Sequence, residues 1–187
     1  TRRREDIVSR LSTPSTTAPA AAMGRPAPEP VAWPAMALKA GERAPDFELS
    51  DQHGATVSLA GLLADGPVVL FFYPQAMTAG CTREACHFRD IGAEFEALGA
   101  QRIGISADAV TKQAEFDDKH GLGYPLLSDP DRETANAFGV SRRGPLPNKR
   151  ATFVIGTDQT ILEVVTSELN MNVHADKALA ALGAAAR

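Results

Sequence analysis

The sequence predicts an α/β fold in which helices cover both faces of one mixed β-sheet. The first observation is the unbroken apolar run from Val68 to Tyr73, which is typical of a strand buried on both faces of a sheet. The second is that strand-like and helix-like segments alternate after this run, which favours parallel pairing. The third is a final pair of strand-like segments around the turn residues 156–159, which adds antiparallel strands.

An N-terminal β-hairpin is predicted before the buried run. Apolar and polar residues alternate over 47–49 and again over 56–59, on either side of the turn residues 51–54. A short helical turn over 59–63 is then expected to lead into the buried strand.

A helix that carries both cysteines is expected after the buried strand. Its apolar residues recur at steps of three and four, which places them on one face of a single helix. These residues are Phe88, Ile91, Phe95 and Leu98. Cys81 and Cys86 lie where the helix begins, and a thiol there faces unpaired N–H groups and the positive end of the helix dipole. Both favour the nucleophilic thiolate, so the sequence predicts a reactive sulfur at the C-terminal end of a central strand.

The rest of the chain continues the alternation of strands and helices. Asp108 is expected to cap a helix that reaches about His120. Residues 141–149, with one glycine and two prolines, are expected to form a loop. The remaining predicted elements are strands over 102–106, 124–128, 152–155 and 161–165, and helices over 133–138 and 175–184.

Composition excludes several classes of function. The 187 residues carry a formal charge of −4, from 19 basic and 23 acidic residues, so no global attraction to nucleic acid is expected. No apolar run approaches the roughly 18 residues that a membrane span needs. Two cysteines are too few for a disulfide scaffold in a chain of this length.

Residues 1–35 are predicted to be a disordered or non-native extension, and residues 36–187 to be the folded domain. The first segment holds six of the 13 prolines and shows almost no apolar periodicity. No apolar stretch follows its basic start, so a secretory signal is not expected. A targeting or regulatory tail is the alternative, although Glu5 and Asp6 are unusual in a transit peptide.

The spacing around the first cysteine gives a more specific prediction. Pro74, Thr78 and Cys81 form a P-x-x-x-T-x-x-C pattern, and Cys86 follows five positions later within GCTREACHFRD. This pattern resembles the peroxidatic loop of peroxiredoxins, in particular the PrxQ or bacterioferritin-comigratory subgroup. The resemblance covers about residues 36–183, including APDFEL and RATFVI, and it implies a thioredoxin-like fold.

The resemblance also implies a thiol peroxidase. Cys81 would attack hydrogen peroxide or an organic hydroperoxide, and Cys86 would resolve the resulting sulfenic acid as an intramolecular disulfide. Thioredoxin or glutaredoxin would then reduce the disulfide. We expect no cofactor, no metal, no nucleic acid and no membrane partner, and we expect a cytoplasmic monomer, with a weak dimer as the alternative.

Three further residues of the loop are expected to serve the peroxide site. Thr78 stands near the helix start, where its hydroxyl could reach both the sulfur and a peroxide, or could cap the helix. Pro74 leaves the strand with a fixed φ and no N–H, which would shape and shield the pocket or simply end the strand. Gly80 is expected to bind substrate beside Thr78, Cys81 and Arg150.

Arg150 is expected to reach Cys81 through strand pairing. It immediately precedes the strand 152–155, which in the implied fold runs antiparallel to the strand 68–73. A guanidinium there would stabilise the thiolate and hydrogen-bond a peroxide. Glu84, one turn into the helix, is expected to hold an arginine in place, and a solvent-facing glutamate is the alternative.

Two features near the site depart from the usual subgroup pattern or extend it. Ala79 stands where the subgroup usually has proline, which predicts a looser loop. Arg142, Arg143, Lys149 and Arg150 form a basic cluster in sequence. This cluster is either a solvated loop or a surface that attracts acidic reductants or lipid hydroperoxides.

The two cysteines allow four other interpretations. Zinc bound by Cys81, Cys86 and His87 would lack a fourth ligand. A thiol-disulfide oxidoreductase would normally carry C-x-x-C rather than four intervening residues. Two inert buried cysteines fit the Pro-Thr-Cys spacing poorly. A peroxide-sensing or interaction module without efficient turnover remains the strongest alternative.

Helix geometry predicts a structural change on oxidation. Residues five apart in an α-helix have Cα atoms ~8.7 Å apart, from a rotation of ~140° and a rise of ~7.5 Å. A disulfide needs a Cα separation of roughly 4.4–6.8 Å. We therefore expect the segment from about Gly80 to His87 to unwind when Cys81 bonds to Cys86.

Overall fold

A seven-stranded mixed sheet forms the centre of residues 38–187, which are the residues described by this computed structural model. The predicted extension 1–35 and Met36 lie outside them. In chain order the elements are β1 (Glu48–Ser50), β2 (Thr56–Ser58), α1 (Leu59–Asp65), β3 (Val68–Phe72), α2 (Ala79–Asp90), α3 (Gly92–Ala97), β4 (Gln101–Ser106), α4 (Val110–His120), β5 (Leu126–Ser128), α5 (Glu133–Ala137), β6 (Ala151–Ile155), β7 (Ile161–Thr166) and α6 (Asn172–Ala185). The strand order is β2-β1-β5-β4-β3-β6-β7.

The apolar run forms the strand that the sequence predicts. All five residues of β3 are buried, and β3 pairs in parallel with β4 and antiparallel with β6. Successive side chains of a strand point to opposite faces of the sheet. Val68, Leu70 and Phe72 therefore join one core, whereas Val69 and Phe71 join the other.

Helices cover both faces, so the predicted fold class is confirmed. The core that contains Leu70 is closed by residues of α1 and α5. The core that contains Phe71 is closed by residues of α2, α3, α4 and α6. The N-terminal hairpin is also present, because β1 and β2 pair antiparallel. No helix among residues 38–187 is long and apolar enough to cross a membrane.

The prediction of one continuous helix after β3 is wrong, because the helix breaks at Ile91. This residue has φ −99° and ψ 27°, and it separates α2 from α3. Arg102 Nη1 donates to the carbonyl oxygen of Phe88 at 3.0 Å, near the end of α2. The same guanidinium occupies the space where a side chain at Gly92 would stand. Phe88 and Phe95 are buried as expected, whereas Ile91 and Leu98 are only partly buried.

The prediction that Asp108 caps a helix is also wrong. The helix begins at Val110, and the residue at its N-cap is Ala109, which makes no side-chain capping bond. Asp108 Oδ2 instead accepts from the backbone N–H of Ala76 at 2.7 Å, and Oδ1 accepts from Lys112 Nζ at 2.6 Å. Asp108 thus ties the turn after β4 to the loop that precedes α2.

The remaining elements agree with the prediction apart from their ends. The strand predicted over 124–128 begins at Leu126, and the buried strand ends at Phe72 rather than Tyr73. The backbone N–H of Tyr73 still donates to Ile105 O at 3.0 Å, so the chain leaves the sheet only after that residue. The last helix begins at Asn172 rather than at residue 175. Its first turn therefore includes His174.

Gly104 in the central strand β4 should not tolerate a side chain. A Cβ at this position would lie 2.9 Å from both Leu126 Cδ2 and Phe71 Cζ, so we expect Gly104→Ala to cost about 1–3 kcal/mol of folding free energy. Gly183 in α6 is a matched control, because a Cβ there meets nothing within 4 Å and alanine favours a helix. In thermal unfolding, Gly104→Ala should lower Tm and Gly183→Ala should hold or raise it. An unchanged Tm for Gly104→Ala would contradict this packing.

Candidate active site

The two cysteines occupy different positions of α2. Cys81 is the third residue of the helix, is 1% exposed and lies against the end of β3. Cys86 is the eighth of the 12 helical residues and is half-buried. The expected influence of the helix N-terminus therefore applies to Cys81 and not to Cys86, because the field of the helix end falls off within the first turn. Both cysteines are free thiols.

Arg150 contacts Cys81 as the strand pairing predicts. In the register of β3 and β6, Phe72 pairs with Ala151, so the residue before Ala151 lies just past the end of β3. Arg150 Nη2 donates to Cys81 Sγ at 3.3 Å, and the arginine is 5% exposed. Its Nη1 donates to Glu84 Oε2.

Glu84 is fully buried one turn after Cys81 and holds Arg150. Burial raises the pKa of Glu84 to about 8, although the adjacent guanidinium opposes this shift. Oε2 accepts from Arg150, whereas Oε1 has no hydrogen-bond partner among residues 38–187. The alternative of a solvent-facing glutamate does not apply.

A buried histidine that the sequence analysis did not single out lies beside Glu84. His174 Nε2 lies 2.9 Å from the carbonyl oxygen of Ser167 and must donate to it, because a carbonyl only accepts. In the neutral ring Nδ1 then carries the lone pair, and it lies 2.9 Å from Thr152 Oγ1 and 3.7 Å from Glu84 Oε1. Burial lowers the pKa of His174. Its one sequence signal is its spacing of four from Ala178 on the buried face of α6.

The loop before α2 holds its shape through contacts within the loop and with Asp108. Thr78 occupies the backbone N-cap position of α2, but its exposed hydroxyl donates to Gln75 O at 2.9 Å and makes no capping bond. Met77 adopts φ 68°, which is uncommon for a residue with a side chain and marks a sharp turn. Thr78 is therefore at the helix start, as predicted, without a hydrogen bond to the sulfur.

The other predicted loop residues lie around the thiol. Gly80 is half-buried, and a Cβ at this position would lie 3.4 Å from Arg150 Nη2 and 3.7 Å from Met171 Sδ. A side chain here would therefore touch the guanidinium at ordinary van der Waals distance. Pro74 is half-buried two residues after β3. Ala79 is the first residue of α2, a position that proline fits well.

Of the four basic residues expected to form a cluster near the site, two are paired with glutamates and two are exposed. Arg150 is buried against Glu84, and Arg142 Nη2 pairs with Glu168 Oε1 at 2.5 Å. Only Arg143 and Lys149 of the four are exposed. Across residues 38–187, no group of three His, Cys, Asp or Glu side chains is arranged to hold a metal ion.

Comparisons with known proteins agree with this geometry. Residues 40–164 match the AhpC/TSA family. A Mycobacterium tuberculosis protein named as a peroxiredoxin is 56% identical over 150 residues, which is 79% of this chain and 97% of that protein.

Solved structures show the same similarity. The crystal structure of peroxidoxin BcpB from Mycobacterium tuberculosis matches with a TM-score of 0.77 and 55% identity, over 79% of this chain and 97% of that one. The bacterioferritin comigratory protein of Xanthomonas campestris, whose structures are described in terms of alkyl peroxide reduction, matches with a TM-score of 0.70 and 31% identity. That match covers 75% of this chain and 92% of the Xanthomonas chain.

Proposed function

This chain belongs to the AhpC/TSA family as a peroxiredoxin of the Bcp and PrxQ group, and from that premise we propose how its own residues reduce peroxides. The family resemblance, the thioredoxin-like fold and a peroxidase activity are confirmed at this level. The steps at individual residues and the identity of the reductant are proposals.

In the proposed first step, the Cys81 thiolate attacks one oxygen of the peroxide. The O–O bond breaks, the sulfur becomes a sulfenic acid, and the second oxygen leaves as an alkoxide or hydroxide that takes up a proton. The observation that carries this proposal is the 3.3 Å contact between Arg150 Nη2 and Cys81 Sγ in a buried site. A fixed guanidinium there favours the thiolate and meets the charge that develops on the peroxide.

The loop residues have proposed roles in binding the peroxide. The Thr78 hydroxyl would turn from Gln75 O towards the substrate, since it is exposed at the helix start. Gly80 would leave space for the peroxide beside the guanidinium, and Pro74 would shield the sulfur from water. Hydrogen peroxide and organic hydroperoxides are the proposed substrates, in keeping with the alkyl peroxide reduction described for the Xanthomonas protein.

The second step joins the two cysteines. The Cys86 thiol attacks the sulfenic sulfur of Cys81, and a disulfide and one water form. Both residues are helical in the reduced protein, so α2 must open first. Opening breaks the hydrogen bond from Tyr124 Oη to Ala85 O at 2.8 Å and loosens the stacking of Phe88 on Phe71, whose rings lie 4.3 Å apart.

In the third step a dithiol protein reduces the disulfide to two thiols and is itself oxidised to a disulfide. Thioredoxin or glutaredoxin is the proposed reductant, because an opened α2 would expose the disulfide to it. The cytoplasmic location, the monomeric state and the absence of a cofactor remain predictions. No observation favours a sensing module without turnover over the enzyme.

Substitution of the two cysteines should have different effects. Cys81→Ser should abolish peroxide reduction with any donor, because it removes the nucleophile at the start of α2. Cys86→Ser should consume about one equivalent of peroxide and stop as a sulfenic acid, since nothing resolves it. Peroxide loss in the presence of thioredoxin and its reductase, with mass spectrometry of Cys81, measures both. Full thioredoxin-linked turnover by Cys86→Ser would overturn the resolving role, and stoichiometric loss by the unmodified protein would favour a sensor.

Arg150 should be needed for the chemistry, and its loss should weaken the contact between α2 and β6 without abolishing the fold. Arg150→Ala should slow the peroxide step by about 100-fold or more, and it should move alkylation of Cys81 to higher pH. Arg150→Lys should recover little, because a single ammonium does not reproduce two parallel N–H donors. Arg143→Ala is the control, because Arg143 is exposed on the same loop. Stopped-flow peroxide kinetics and iodoacetamide labelling against pH are the measurements. An unchanged profile in Arg150→Ala would show that this arginine does not act on the sulfur.

Formation of the disulfide should open α2 locally. Amide hydrogens over residues 80–90 should exchange faster in the disulfide form than in the reduced form, because helical hydrogen bonds are lost. Amides of α4 are the internal control, since this helix packs on the same face of the sheet and carries no cysteine. Equal protection of residues 80–90 in both forms, with the Cys81–Cys86 bond confirmed by mass, would exclude the opening.

A further inference from the structure

Two acidic groups of the buried site compete for one permanent positive charge. Arg150 is always protonated, and its two terminal nitrogens contact Cys81 Sγ and Glu84 Oε2. If the sulfur and the carboxyl both lost their protons, two buried negative charges would share one guanidinium. A buried charge without a partner is costly, so one of the two acids must keep a proton or find a second cation.

The contacts of Glu84 indicate where such a proton would lie. Oε2 is occupied by Arg150, whereas Oε1 is buried and has no hydrogen-bond partner among the described residues. The ring atom His174 Nδ1 is 3.7 Å away, which is too long for a hydrogen bond but within reach of a small side-chain movement. A proton between these two atoms would satisfy Oε1, whichever of them carries it.

The other charged groups that face this pair do not replace that proton. Glu168, which follows β7, is exposed and pairs with Arg142 at 2.5 Å. Thr152 of β6 is uncharged, and its hydroxyl lies 2.9 Å from His174 Nδ1. Because Nδ1 has a single lone pair, this hydroxyl must turn away when the proton shared with Glu84 occupies that position. Arg150 is the one remaining cation that contacts Glu84 within residues 38–187.

We propose that His174 is a positioning residue for the sulfur chemistry, because it shares a single proton with Glu84 and thereby leaves the positive charge of Arg150 to Cys81. This rests on the proposed function of Cys81 as the nucleophile. The pair has no net charge whether the proton sits on Glu84 Oε1 or on His174 Nδ1. The guanidinium and the thiolate then balance each other.

The titration behaviour expected from burial agrees with this geometry. Burial raises the pKa of Glu84 to about 8 and lowers the pKa of His174, so neither group readily carries a charge by itself. Interacting acids titrate as a unit, and the ionisation of one raises the pH at which the other ionises. Loss of the shared proton should therefore be coupled to the state of Cys81 through Arg150, and the coupling must be reciprocal.

The first test follows the shared proton by NMR in the reduced, full-length protein. The ring nitrogens of His174 and the carboxyl carbon of Glu84 should change with one common pH midpoint. In Cys81→Ser this midpoint should fall by about one pH unit, because no thiolate competes for Arg150. In Glu84→Gln the change at His174 Nδ1 should disappear at that pH.

The control removes a carboxylate that faces a different histidine. Asp176 in α6 is exposed and lies 2.7 Å from His87 Nε2. Asp176→Asn should leave the common midpoint of His174 and Glu84 unchanged. If the pH-dependent change at His174 is the same in Glu84→Gln as in the unmodified protein, the two residues do not share a proton. A common midpoint that is the same with Cys81 and with Ser at position 81 would overturn the coupling to sulfur.

The second test asks whether the Glu84–His174 pair is neutral while Cys81 ionises. In a Cys86→Ser background, which leaves one thiol, the pH midpoint of iodoacetamide labelling should shift by less than about half a pH unit on Glu84→Gln. A fall of about one unit or more would mean that the pair had carried a net negative charge and had been drawing on Arg150, and the inference would fail. Neither test uses peroxide. A protein that shows the coupling but does not turn over peroxide would contradict the proposed function and leave this inference intact.

Discussion

The site depends on the burial of one guanidinium. Arginine keeps its proton inside a protein, so a buried arginine requires polar or negative partners that reach its nitrogens. Arg150 finds them on α2, in the carboxyl group of Glu84 and the sulfur of Cys81. The contacts that satisfy the charge therefore also join α2 to the start of β6. The same contacts of Arg150 therefore hold α2 against β6 and make the sulfur reactive.

Strand register decides where that charge lies. Phe72 pairs with Ala151, and the side chains of the two strands alternate between the faces of the sheet. Arg150 comes just before β6 on the face covered by α2 and α6. A shift of one residue in this pairing would turn its side chain towards α1 and α5, on the opposite face. The fully buried strands β3 and β6 specify the register, because all their residues except the buried Thr152 belong to one of the two apolar cores.

The helix α2 serves two opposed requirements. Cys81 needs an intact first turn, which presents the N-terminal end of the helix and the guanidinium to the sulfur. A bond between Cys81 and Cys86 needs the same turn to open. Opening loosens the stacking of Phe88 on Phe71, and the break at Ile91 already separates α2 from α3. Opening can therefore be confined to α2, the helix that carries the cysteines.

The sequence alone determined the fold class, the strand–loop–helix unit around Cys81 and the approach of Arg150. The first two follow from local patterns, namely a buried apolar run and the spacing of Pro74, Thr78 and Cys81. The approach of Arg150 follows from the antiparallel pairing in the fold that the family resemblance implies. Only the tertiary structure decided that Arg102 ends α2, that Asp108 holds the loop and that His174 lies beside Glu84. Each of these is a contact between residues distant in the chain, made by a side chain whose local sequence is equally compatible with an exposed position. Hydrophobic periodicity indicates which face of a helix or strand is buried. It does not indicate which polar side chain of another element contacts that face.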